Sequence, residues 1–145
     1  MGELNRKMNR KRGFTIIELM VALTIVSILA AIAYPIYTTF TTRSNRALAL
    51  TEITRIAQLQ ERFYMDNRTY GTLTGLGFAA NTIGLDAQGD AVAAGTGFYN
   101  VTVTPAPSAT QFTIQAVATN NQTSDTGCTS LTMTNAGATA PDACW

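Results

Sequence analysis

From Leu19 to Thr42 the chain carries not one charged residue, and the acid Glu18 stands at the head of that run. Twenty or so residues rising about 1.5 Å each span the roughly 30 Å hydrocarbon core of a bilayer when they form a helix. A lone carboxylate beside such a run is costly in lipid, so it marks a pairing or a function rather than packing. Ahead of the run, Arg6, Lys7, Arg10, Lys11 and Arg12 stand against Glu3 alone, and Gly13 marks the change from basic head to apolar segment. A cationic head stays on the cytoplasmic side, which sends the rest of the chain outside.

After Gly13 there are five arginines and eight acids, a balance of −3, with no lysine and no histidine. No basic stripe is visible in that part, so DNA is not expected as a partner. With no histidine and no nucleophile standing beside a base, the chain is not read as an enzyme and no cofactor is expected. The acids of "DAQGD", Asp86 to Asp90, lack the oxygen spacing of a calcium loop, so no metal is expected either. Cys128 and Cys144 both fall in the last eighteen residues. They are read as a disulfide of an oxidising compartment, worth about 3 kcal/mol by loop-closure entropy.

The apolar run passes without a small-residue cleavage site into a further helical pattern, unlike an ordinary secretory signal. One long bent helix is predicted from about Phe14 to about Asp66, with the bend at Pro35, where Thr38, Thr39, Thr41 and Thr42 can bond freed carbonyls. Beyond Arg43 the helix is amphipathic: Leu50, Ile53, Ala57 and Tyr64, widened by Ile56 and Phe63, form the face that buries. Arg55, Arg62, Leu48 and Leu59 are predicted on the outer side. Turn chemistry in "YMDNRTYG" ends the helix.

The stretch from Thr72 to Gly97 has no sustained period and is predicted to be a connecting loop with a short turn of helix. Three strands follow from period-two alternation: Tyr99, Val101 and Val103; Phe112, Ile114, Ala116 and Ala118; Leu131 and Met133. They predict an antiparallel sheet packed on the helix, with "PAPSAT" joining the first two strands and a short edge strand before Cys144. Trp145 is expected to pack against the disulfide.

The basic head, Gly13 and "FTIIELMVALTIVSILAAIAYP" together resemble the leader and N-terminal helix of the type IV pilins, over about the first fifty residues. "QERFYMDNRTYGTL" resembles a stretch of PilE-type minor pilins, and "CTSLTMTNAGATAPDACW" resembles their disulfide-bounded C-terminal loop. The resemblance implies an α+β pilin fold and a division into a cleaved leader (1–13), an apolar helix for membrane and filament core (14–42) and a globular head. Within the head it places an amphipathic half-helix (43–66), a loop (67–97), and the sheet with its C-terminal loop (98–145). It implies cleavage between Gly13 and Phe14 by a prepilin peptidase, and N-methylation of Phe14. It also implies that Glu18 meets the Phe14 ammonium of a neighbouring subunit, so that two charges costly in lipid neutralise each other on assembly. The competing reading of Glu18 is a side chain that snorkels to the headgroups. Expected partners are other pilin subunits, the peptidase and methyltransferase, and the inner membrane before export of the fibre. The function implied is a minor pilin serving adhesion, motility or DNA uptake. A major pilin and a type II secretion pseudopilin are its alternatives.

Overall fold

A computed structural model describes residues 13–105 and 108–145. The expected leader, apart from Gly13, lies outside the described residues, as do residues 106–107 of the "PAPSAT" connection. The chain divides into two compact units between Thr38 and Thr39. Helix α1, Ile16–Asn67, runs through that division. It stays helical past Pro35, and the Thr38 hydroxyl donates a 3.0 Å bond to the Pro35 carbonyl.

In the second unit six strands follow α1: β1 (Thr82–Leu85), β2 (Ala91–Ala93), β3 (Tyr99–Thr104), β4 (Thr113–Ala118), β5 (Ser130–Thr134) and β6 (Thr139–Ala140). They form one sheet in the order β2-β1-β3-β4-β5-β6, and every neighbouring pair is antiparallel. The central register sets Val101 opposite Ala116 and Ala116 opposite Leu131, so one face of the sheet is continuously apolar. That face shares a core with Ala49, Ile53 and Ile56 of α1, which are fully buried. Leu50, Ala57 and Tyr64 pack at its margin. Helix stripe and strand alternation thus meet as their periods of 3.6 and 2 require.

The region predicted as a loop holds the β1–β2 hairpin, so the sheet has two more strands there than expected. Gly84 and Gly97 make the hairpin possible. A Cβ on Gly84 would stand 2.6 Å from the Ala93 carbonyl oxygen, and one on Gly97 would collide with the Leu85 backbone. The loop also covers part of the helix flank. Leu48 lies under Gly89, and Leu59 lines a groove with Leu76 and Phe78, so neither leucine is on the open side where periodicity put it.

Cys128 and Cys144 form the expected disulfide, with 5.7 Å between their Cα atoms. The bridge ties the segment before β5 to the 3-10 turn that ends the chain, Asp142–Cys144. Replacing both cysteines by serine is expected to destabilise the head by about 3 kcal/mol. Chemical denaturation of the two proteins checks this, read as a lower midpoint at similar slope.

Candidate functional site

In the first unit Thr15 starts the helix. Its carbonyl accepts the Leu19 N–H at 3.2 Å and its hydroxyl accepts the Glu18 N–H at 3.3 Å, which satisfies two of the donors left free at a helix start. Glu18 therefore sits in the first turn, where its charge also favours the helix dipole. Among the described residues its carboxylate has no hydrogen-bond or ionic partner. Phe14, just ahead of the helix, is 85% exposed, and the large apolar side chains from Ile16 to Phe40 are exposed as well. Polar groups within the run are internally satisfied: the Thr24 hydroxyl donates to Met20 O at 2.7 Å and the Ser27 hydroxyl to Thr24 O at 2.8 Å. The segment is long and apolar enough to cross a membrane.

In the second unit the best-connected polar residue is Gln122, 1% exposed, in the 3-10 turn Asn120–Ser124. Its Nε2 donates to the Thr42 carbonyl and the Tyr99 hydroxyl, each at 3.0 Å, and to Asp125 Oδ2 at 3.3 Å. Its Oε1 accepts from Asn45 Nδ2 at 3.2 Å. Beside it Arg46 pairs with Asp125 at 3.5 Å and donates to Cys128 Sγ. The disulfide segment is thereby fastened to α1 at residues 42–46, a function that the sequence did not reveal in either Gln122 or Arg46. Nothing in "NNQTSD" distinguishes the buried glutamine from its exposed neighbours.

Burial raises the Tyr99 phenol above its ordinary pKa, an effect opposed by its bond to Gln122. A raised folded value means that this tyrosine's contribution to stability is complete below about pH 10, the unfolded value, and is lost as pH climbs through the folded one. The head is therefore expected to hold its melting temperature to about pH 10 and to lose it above. Tyr99→Phe should flatten that alkaline fall, as followed by thermal melts against pH.

A second buried polar pair fixes the far end of the helix. Gln60, fully buried, donates Nε2 to Gly71 O at 2.7 Å and accepts the Gly71 N–H at 2.9 Å, mimicking a strand partner. Tyr70 next to it stacks on Tyr64 and meets the edge of Phe112, with both centroid distances 4.7 Å. On the flank of α1, Glu52 is nearly buried and takes a bidentate pair from Arg55 at 2.6 and 2.7 Å. The Arg55 guanidinium lies 5.1 Å from the Phe78 ring centroid and is 51% exposed. The indole of Trp145, expected against the disulfide, donates to Ala140 O at 3.3 Å and lines a groove of about 470 Å³ with Leu50, Thr51, Thr54, Arg55 and Gln58.

No group of metal-ligating side chains is present among the described residues. No curated protein matches the chain. Two families do match it. Residues 8–34 fit the prokaryotic N-terminal methylation motif, which spans Arg10, Lys11 and Arg12 of the basic head, Gly13, Phe14 and Glu18. Residues 35–132, more than half of the chain, fit the family described as type IV minor pilin ComP, DNA uptake sequence receptor. With the apolar N-terminal helix, the antiparallel sheet packed on α1 and the C-terminal disulfide already described, these matches assign the chain: it belongs to the type IV minor pilin ComP family and has the type IV pilin fold.

Proposed function

We propose that this minor pilin serves DNA uptake, as a subunit that is stored in the inner membrane and then carried into a type IV pilus. The observation that carries the reading is the family match over residues 35–132, whose description names a DNA uptake sequence receptor. In this reading a prepilin peptidase cuts between Gly13 and Phe14, and the new Phe14 amine is methylated. The apolar helix then leaves lipid for a fibre core made with other pilus subunits, while the head reaches the periplasm and later the cell exterior. Glu18, with no partner in its own chain among the described residues, is available for the Phe14 ammonium of a neighbour.

The expectation that DNA is not a partner rested on the net charge of the chain after Gly13, and the family description points the other way. Net charge is a weak guide here, because phosphates are met locally and by few cations. Deleting the gene is expected to lower uptake of labelled duplex DNA by about a hundredfold or more, with restoration by the intact gene. Uptake that persists at the parental level would remove the reading. Loss of protein secretion instead would favour the secretion pseudopilin, and loss of adhesion alone would favour an adhesive fibre.

A further inference from the structure

The two sulfurs of the disulfide sit in opposite electrostatic surroundings. Arg46 Nη1 donates to Cys128 Sγ at 2.6 Å and pairs with Asp125 Oδ1 at 3.5 Å, so the sulfur is the nearer partner. Asp125 also accepts from Gln122 Nε2 at 3.3 Å and so relies on Arg46 only in part. At Cys144 the neighbouring charge is Asp142, two residues earlier in the same 3-10 turn, and from Thr69 to Trp145 the sequence has no lysine or arginine. A cation beside a sulfur favours its thiolate, and an anion disfavours it. Access differs as well. Both sulfurs are nearly buried, so an external thiol reaches either one only by local opening. Cys128 leads directly into β5, whose partner β4 pairs with it over five residues. The turn that holds Cys144 keeps its own backbone bonds, Cys144 N–H to Pro141 O and Trp145 N–H to Asp142 O, and follows β6, which pairs only Thr139 and Ala140 with β5. Opening that turn breaks fewer bonds than opening β5 does.

We propose that this disulfide exchanges in one direction: Cys144 is the sulfur that joins an external thiol, Cys128 is the sulfur that leaves and returns, and Arg46 is the positioning residue that sets the order. The partner such a site fits is a protein or small molecule carrying a reactive thiol or disulfide. In the reducing direction an external thiolate attacks Cys144 Sγ. A new S–S bond forms there as the Cys128–Cys144 bond breaks, and the electron pair departs on Cys128 Sγ beside the Arg46 guanidinium. The better stabilised thiolate leaves faster. In the oxidising direction the Cys144 thiolate first attacks the partner's disulfide and expels one of its thiolates. The Cys128 thiolate then attacks Cys144 Sγ in the mixed disulfide and expels the other, so two thiols of this chain are oxidised as one disulfide of the partner is reduced. Arg46 belongs to α1 and Cys128 to the segment before β5, so the cation reaches the sulfur only when the head has docked on its helix. Closure of the bridge is thereby favoured in the native arrangement.

The test exposes the full oxidised chain in detergent micelles briefly to 2-mercaptoethanol, an uncharged thiol that Asp142 does not repel, and then caps free thiols with N-ethylmaleimide in acid. Proteolytic cleavage before Asp142 separates the two cysteines for mass spectrometry. The mercaptoethanol adduct is expected on Cys144 and the maleimide on Cys128, with a preference of about tenfold over the reverse pattern. Arg46→Gln should cut that preference to about threefold or less, and Arg46→Lys, which keeps the charge, should restore most of it. The parent unfolded in urea should show little preference, because the order comes from the native surroundings of the sulfurs. Circular dichroism confirms that each variant is folded, and a merely looser head would speed exchange without changing which sulfur takes the adduct. Equal adducts on the two sulfurs of the folded parent, or an excess on Cys128, would overturn the proposal. A tenfold preference that persists in Arg46→Gln would overturn the role given to Arg46.

Discussion

Replacing Glu18 by alanine is expected to leave the subunit in the membrane and to lower its amount in sheared fibres by about a hundredfold. The reasoning is energetic. In the proposed fibre core the Phe14 ammonium and the Glu18 carboxylate leave water together, and removing one partner of a desolvated pair strands the other at a cost of about 3 to 5 kcal/mol. That is more than a hundredfold in an equilibrium constant at about 1.4 kcal/mol per factor of ten. Helix formation is not the cause of the loss. Thr15 still caps the first turn through its own hydroxyl and carbonyl, and the dipole contribution of one acid is worth only about 0.3 to 1 kcal/mol. Glu18→Gln, which keeps shape and loses charge, should fail in the same way, while Glu18→Asp should restore part of the assembly. Quantifying the subunit in membrane and fibre fractions checks all three. Fibres that incorporate Glu18→Ala at the parental level would restore the snorkelling account of this residue.

Gln122→Ala is expected to be the most damaging single truncation in the head outside its apolar core. The amide makes four hydrogen bonds at a 1% exposed position, and its loss unpairs the Asn45 amide and removes the 3.0 Å partner of the Tyr99 hydroxyl. Leaving buried polar groups unsatisfied costs about 1 to 3 kcal/mol each, so a total of about 2 to 4 kcal/mol is expected after water repairs part of the damage. For a domain of this size that lowers the melting temperature by roughly 10 to 25 °C. Thermal unfolding of the two proteins measures it. A shift below about 4 °C, equivalent to less than 1 kcal/mol, would mean that the disulfide segment holds α1 without this glutamine.

The two variants also separate the two units. Glu18 lies in the first and Gln122 in the second, so the first substitution should stop assembly without unfolding the head. The second should unfold the head without changing the apolar helix.

What was legible in the sequence followed from periodicity and from charge placed against an apolar background. The stripe of Ile53 and Ile56 and the alternation of Tyr99, Val101 and Val103 each report burial through a repeat, and each is buried where the repeat put it, while the uncharged run from Leu19 to Thr42 reports a helix long and apolar enough to cross a membrane. The β1–β2 hairpin was not legible, because its fit depends on what is missing. Gly84 and Gly97 are needed for close backbone approach, and a glycine contributes nothing to a pattern of apolar side chains. Leu48 and Leu59 were misplaced for a related reason. A helix face shows which residues point together, but a loop such as 72–97 can cover a face that the period alone marks as open. Gln122 and Gln60 are buried and bonded to groups elsewhere in the chain, Glu52 is buried and paired with Arg55, and composition reads such polar residues as solvated. The expectation that DNA is not a partner rested on a balance of −3, which averages over the chain after Gly13, whereas its five arginines gather between Arg43 and Arg68.

The most direct test of the account is the intact mass and N-terminal residue of the protein from membranes and from sheared surface material. The account predicts a chain beginning at N-methylated Phe14 in the fibre fraction. A chain in that fraction that still carries residues 1–13, or none there at all, would contradict it.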